Sequence, residues 1–239
     1  MKPEAILITG VAKRVGLHLA QTFLERGTPV IGTYRTDRPA LKELKRAGAE
    51  LHRCDFYDQA QVDSLCTAIS AKHSSLRAII HNASDWLAEG GPLPAKEIMW
   101  RMMQVHAGVP YQLNLALEPL LLASSYAHSD IIHIGDYVSS RGSSKHIAYA
   151  ASKAAQDNLT LSFSARLAPR VKVNSIAPAL VIFNEDDDEA YRQKARSKSL
   201  MQREGGVEEL QHAVDYLMNS SYVTGRILPM DGGRHIKAA

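Results

Sequence analysis

Short strand-like runs, most of them rich in Val, Ile or Leu, alternate along this chain with longer, helix-length segments. The short runs fall at residues 5–8, 29–34, 50–54, 76–80, 130–134, 171–176 and 226–229. Strands alternating with helix-length segments predict an α/β fold, a doubly wound parallel sheet of about seven strands with helices on both faces. The first helical segment, 15–26, puts Leu19, Ala20, Phe23 and Leu24 on one face, and Gly27 stands where a glycine ends a helix. Strand, tight turn, helix, glycine, strand reads as a βαβ unit. The least regular stretch is 179–204, where the acidic run 184–189 meets the basic run 192–198. An insertion this late in an α/β chain reads equally as a substrate lid or as a solvated helix of mixed charge.

Composition narrows the class. With 239 residues, 45% of them hydrophobic and 22% charged, the chain matches a single globular domain spanning 1–239 rather than a disordered or repeat protein. The net charge of +3 is spread among acidic residues, so no basic strip suits nucleic acid. Cys54 and Cys66 form neither a disulfide framework nor a metal-ligand spacing, and no metal is expected. The opening residues move straight into a strand-like run and no apolar stretch is long enough for a membrane, which reads as a cytoplasmic protein.

Candidate chemistry starts after the first strand. Gly10, Lys13, Arg14, Val15 and Gly16 join that strand to the first helix, a context in which backbone amides and the positive end of the helix dipole face an anion such as a pyrophosphate. Gly10 suits the tight turn, and Gly16 the close approach of helix and sheet. About 20 residues on, where an Asp or Glu would hold the ribose of NAD, the chain has Arg35 and Thr36. A guanidinium there suits a 2′-phosphate, so NADPH is the expected cofactor. Asp55 follows the third strand, and Asn82 and Ala83 the fourth, at the strand ends where such sheets bind ligands.

Tyr149 and Lys153 open a later helical segment at i, i+4, one turn apart on one face. An ammonium beside a phenol whose pKa is ordinarily near 10 favours the phenolate, so Lys153 together with the positive nicotinamide of an oxidised cofactor is expected to lower the Tyr149 pKa and make it a proton shuttle.

The Thr9–Gly16 turn, Asp55, Asn82-Ala83, Tyr149 with Lys153, Asn174 to Pro178, and Asp231-Gly-Gly233, in this order, resemble the short-chain dehydrogenase/reductase family over nearly the whole chain. Within it, the chain looks like the pteridine reductases. Arg14 replaces a glycine of the turn; Asp136 stands 13 residues before Tyr149 where most members have a serine; Ser84-Asp-Trp86 follows Asn82-Ala83 in place of a glycine. The resemblance implies a Rossmann-type fold, catalysis by Tyr149, Lys153 and Asp136, and a pterin bound by Arg14, Ser84, Trp86, Asp136 and Tyr149. Cofactor contacts extend to Ser84 and Pro178, and the assembly is a homotetramer. The runs around His81, His133, Lys145 and His235 narrow this to the bacterial members that make a tetrahydropterin. The implied substrate is a 7,8-dihydropterin such as dihydromonapterin, with dihydrofolate a weak second. An imine nitrogen that must gain a proton suits a carboxyl group at position 136, whereas a carbonyl suits a serine. Two departures stand out: His106 replaces an Asn that holds a water beside the lysine, and Ala179 replaces a glycine after Pro178. A carbonyl reductase acting on an oxoacyl thioester or a sugar is the alternative, and a non-catalytic NADPH-sensing protein a remoter one.

Overall fold

Seven strands, β1 (Ile6–Ile8), β2 (Val30–Tyr34), β3 (Glu50–Arg53), β4 (Ala78–His81), β5 (Ser129–Ile134), β6 (Val171–Pro178) and β7 (Ile227–Met230), pair in parallel in the order β3-β2-β1-β4-β5-β6-β7. The computed structural model describes residues 3–237; residues 1–2 and 238–239 of the expected 1–239 domain lie outside the described residues. Every apolar run yields a strand, with ends displaced by a residue or two. Leu76 and Arg77 fall outside β4 because their amides bond the Leu120 and Ala5 carbonyls before the β4 ladder begins.

The inner strands β1, β2, β4, β5 and β6 are buried on both faces, their side chains alternating between two cores, while the edge strands β3 and β7 are partly exposed. Leu7, Ile79 and Ile131 face the cluster under α3 (Gln59–Lys72), α4 (Ala95–Met103), α5 (Val109–Leu122) and α6 (Ile147–Leu167). Their neighbours Ile6, Ile8, Ala78, Ile80 and Ile132 face the cluster under α1 (Arg14–Glu25), α2 (Ala40–Arg46) and α8 (Val207–Asn219). Cys54 lies in the first cluster and Cys66 packs against it, both as free thiols. Gly27 ends α1 at φ +75°, its amide bonded to Leu24 O (2.9 Å) and that of Thr28 to Phe23 O (2.9 Å), a Schellman closure.

The irregular stretch 179–204 contains one helix, α7 (Glu189–Arg196), with no buried residue. The mixed-charge surface helix is therefore present. No helix among the described residues is long and apolar enough to cross a membrane.

After β3 the chain crosses to the other side of β1 to form β4, so the carboxyl ends of β1 and β4 flank a crevice. Gly16 lets α1 start there. A Cβ at this position would lie 2.1 Å from Gly10 O and 2.4 Å from Asn82 Nδ2, both fixed atoms. Gly16→Ala should destabilise the fold by about 1–3 kcal/mol, measured as a lower midpoint in thermal denaturation. An unchanged midpoint would disprove the tight contact.

Candidate active site

Thr9, at the end of β1, holds the crevice together. Its Oγ1 accepts from the amides of Asn82 (3.0 Å) and Ala83 (2.9 Å), while Asn82 Nδ2 donates back to the carbonyls of Thr9 (2.9 Å) and Gly10 (3.1 Å). Asn82 thus ties the glycine turn to the loop after β4. Gly10 takes φ +76°, and its amide, like that of Val11, donates to Thr33 O of β2 (3.0 and 2.9 Å). The amides left for an anion are those of the first turn of α1, at Arg14, Val15 and Gly16, because a helix gives its first N–H groups no partner of its own. No side chain caps this end, and its first turn has no acidic residue. Lys13, the N-cap, is exposed, which adds positive charge. This end fits a dinucleotide pyrophosphate.

Arg14 adopts φ +54°, in the left-handed region that few non-glycine residues enter. Its guanidinium donates to Asn184 Oδ1 and to Ile182 O (2.9 Å). The residue expected to reach cofactor and pterin therefore also fastens the 179–204 stretch to the glycine turn. Arg192 folds that stretch on itself through Asp187 O (2.8 Å) and Asn184 O (3.0 Å). Pro178 ends β6, and Ala179 begins the stretch with its amide on Met230 O (3.1 Å).

Arg35 and Thr36 follow β2 and are exposed. Asp55, after β3, accepts the Tyr57 amide (3.1 Å). Arg35 pairs with Asp85 (3.1 Å) and lies over the Tyr57 ring (5.6 Å). Asp85, which the sequence reading passed over, also accepts from Tyr57 Oη (2.9 Å) and the Trp86 amide (2.9 Å). A carboxylate next to an arginine carries no signal until folding joins two loops.

At the far end of the crevice, Tyr149 Oη donates to Asp136 Oδ2 (2.8 Å), and Asp136 Oδ1 accepts the Val138 amide (2.9 Å). Asp136 leaves β5 and caps the short helical turn Tyr137–Ser140. Lys153 is buried, its Nζ on Ile134 O (2.7 Å) and Gln156 Oε1 (3.2 Å), and lies 5.9 Å from the centre of the Tyr149 ring. Lys153 by itself does not lower the Tyr149 pKa. Burial, then the charge and hydrogen bond of Asp136, push the phenol up, so it stays protonated. The lysine gives way instead: burial lowers Lys153 to about 8, against a smaller raising pull from Asp136.

His106 lies fully buried in a π-helical turn, Gln104–Gly108, between α4 and α5. π-turns inside helices recur at functional sites. Ser152 Oγ gives its proton to Tyr149 O (2.7 Å), so it can only accept from His106 Nδ1 (2.8 Å). Burial, then Lys153, push the His106 pKa well below its usual value, which leaves the ring neutral. A neutral ring protonated on Nδ1 has a bare Nε2, which can take the Ser84 hydroxyl proton over 2.7 Å, a shorter contact than the 3.3 Å from Ser84 Oγ to Asp85 O. His106 thus fixes the direction in which Ser84 donates. Trp86 stands above, 61% exposed, stacked on His146 at 4.0 Å and 25°.

The chain is similar to known proteins over almost its whole length. The model of the enoyl-(acyl carrier protein) reductase family matches residues 10–235. The chain belongs to the short-chain dehydrogenase/reductase family of oxidoreductases. It is 53% identical over 236 residues to a dihydromonapterin reductase of Klebsiella pneumoniae, covering 99% of this chain and 98% of that protein. It is 52% identical, with the same coverage, to a dihydromonapterin reductase of Escherichia coli K12. The fold matches that of FolM alternative dihydrofolate reductase 1 from Brucella canis, solved with NADP, at a TM-score of 0.87 and 23% identity, covering 100% of this chain and 96% of that one.

Two outcomes follow from the electrostatics. In 15N-histidine NMR at neutral pH, the signal lost in a His106→Asn variant should be that of a neutral ring protonated on Nδ1; an Nε2–H ring or an imidazolium would refute the assignment. The folded Lys153 pKa of about 8 lies below the unfolded 10.5. Between these values the unfolded chain binds more protons, so this group makes the unfolding free energy rise with pH. Urea titrations should show that contribution in the native protein and its loss in Lys153→Met; identical pH slopes would contradict it.

Proposed function

We propose that this protein catalyses the NADPH-dependent reduction of a 7,8-dihydropterin to the tetrahydropterin, with dihydromonapterin the main substrate and dihydrofolate a weak one. The observation that carries this reading is the hydrogen bond from the Tyr149 phenol, on α6, to the Asp136 carboxyl group just after β5. The relatives that are half identical over almost their whole length bear the name dihydromonapterin reductase, which supports the same substrate class.

NADPH, when bound, supplies the hydride that C6 of the pterin receives. The amino end of α1 at Arg14–Gly16 takes the pyrophosphate, with Lys13 adding positive charge, and Arg35 with Thr36 takes the 2′-phosphate. Asp55, Asn82, Ala83 and Pro178 border the same crevice. Lys153 holds the nicotinamide ribose from its buried position. Trp86 offers a flat face to the pterin ring, with Ser84 and Arg14 at its edge. N5 must gain a proton as C6 gains hydride, and the Tyr149–Asp136 pair holds that proton. A phenol kept protonated by burial is a donor throughout the neutral range, which suits reduction. The 179–204 stretch, latched by Arg14, closes over the bound substrate.

A cytoplasmic homotetramer completes the reading: α4, α5 and α6 leave Trp100, Met103, Tyr111 and Leu161 exposed, an apolar face suited to a second copy.

The test is NADPH oxidation by purified protein offered dihydromonapterin, dihydrobiopterin, dihydrofolate and an oxoacyl thioester. A preference for dihydropterins over the thioester of more than about tenfold in kcat/KM, or roughly 1.4 kcal/mol in transition-state binding, is expected. Tyr149→Phe should cut that turnover by about 100-fold or more and leave cofactor affinity nearly intact. Preference for the thioester would replace the substrate; full turnover by the variant would remove Tyr149 from the chemistry.

A further inference from the structure

Arg35, the side chain suited to a 2′-phosphate, is engaged by a carboxylate of its own chain. Asp85 Oδ2 takes its Nη1 at 3.1 Å and the Tyr57 hydroxyl at 2.9 Å. Asp85 Oδ1 accepts the amide of Trp86 at 2.9 Å. Around this carboxylate the Tyr57 ring carries Arg35 at 5.6 Å, Arg101 at 5.1 Å and Trp100 at 5.7 Å from its centre. Arg101 is paired in turn with Glu97 at 2.7 Å. One residue therefore touches the cofactor-selecting arginine with one oxygen and the backbone of the indole loop with the other.

We propose that Asp85 is a specificity-determining residue, an internal competitor for Arg35 that only a phosphate-bearing dinucleotide displaces, so that the identity of the cofactor is passed to the loop carrying Trp86. The inference rests on the NADPH reading above. A 2′-phosphate carries more negative charge than a carboxylate and matches the guanidinium fork with two oxygens. The pair it must break is half-exposed, and ion pairs at such sites are weak, so exchange is easy. A dinucleotide with a bare 2′-hydroxyl has no charge with which to compete and leaves Asp85 on Arg35. Once Arg35 turns to the phosphate, Asp85 keeps Tyr57 and the Trp86 amide but loses its cation. The 84–86 loop is then free to settle where the ring substrate stacks. Coupling of this kind is reciprocal: substrate must tighten a phosphate-bearing cofactor by the factor by which that cofactor tightens substrate.

Calorimetric titration of native protein, Asp85→Asn and Arg35→Asp with NADP+ and with NAD+ tests this without turnover. Asparagine keeps an acceptor for the Trp86 amide while removing the charge. Asp85→Asn should bind NADP+ roughly two- to fivefold more tightly, the range a half-exposed ion pair spans, with NAD+ affinity unchanged. Titration of dihydromonapterin with and without NADP+ should give a coupling factor that shrinks toward one in the variant. Unchanged or weaker NADP+ binding, an equal gain for NAD+, or an intact coupling factor would overturn the proposal. Arg35→Asp separates the two readings: if it lowers the preference for NADP+ while Asp85→Asn gains nothing, Arg35 still binds the phosphate and only the role of Asp85 fails. If Arg35→Asp leaves the preference unchanged, the assignment of Arg35 itself falls.

Discussion

The site depends on the four hydrogen bonds that join Thr9 and Gly10 to Asn82 and Ala83. They close the gap between the carboxyl ends of β1 and β4, where the sheet reverses its strand order and no ladder continues. Gly16 can then sit against Gly10 and Asn82 at a distance that admits no side chain, and the uncapped end of α1 points into the crevice. The same bonds fix the start of the 82–86 loop, so the anion end of the site and its aromatic end share one anchor.

From that anchor outward the electrostatics are set by burial. Tyr149, Lys153 and His106 all lie where water is excluded, and each is pushed toward its neutral form: the phenol up, the lysine down, the imidazole well down. Asp136 adds to the shift on Tyr149 and opposes it on Lys153. A site biased this way holds protons on oxygen and keeps its histidine as a hydrogen-bond relay between Ser152 and Ser84 rather than as a cation. The balance suits delivery of a proton better than its removal.

The opposite rim is governed by charge that remains in contact with solvent. Arg14 binds the 179–204 stretch, and Arg35 binds the loop after β4. Both guanidiniums, which the proposed function sets against anionic parts of a dinucleotide, thus already tie irregular segments to the first turn of α1 and the end of β2. Ligand binding and loop arrangement draw on the same donors, which couples them without any distant relay.

Much of this was legible in the chain itself. Hydrophobic runs of strand length marked the inner strands, since side chains buried on both faces must be apolar with little interruption, and the helix stop at Gly27 follows from a residue free to take positive φ. The i, i+4 spacing of Tyr149 and Lys153 sets both on one helix face, and their expected chemistry came from the family resemblance of the whole set of motifs. What only tertiary structure decided lies where distant segments meet: the pairing of Asp85 with Arg35 across 50 residues, the latch from Arg14 to Asn184, the tautomer of His106, and the upward shift of Tyr149. Periodicity and spacing encode which face a residue takes on its own element. Dielectric environment and hydrogen-bond partners come from other elements, and they exist only once the chain has closed.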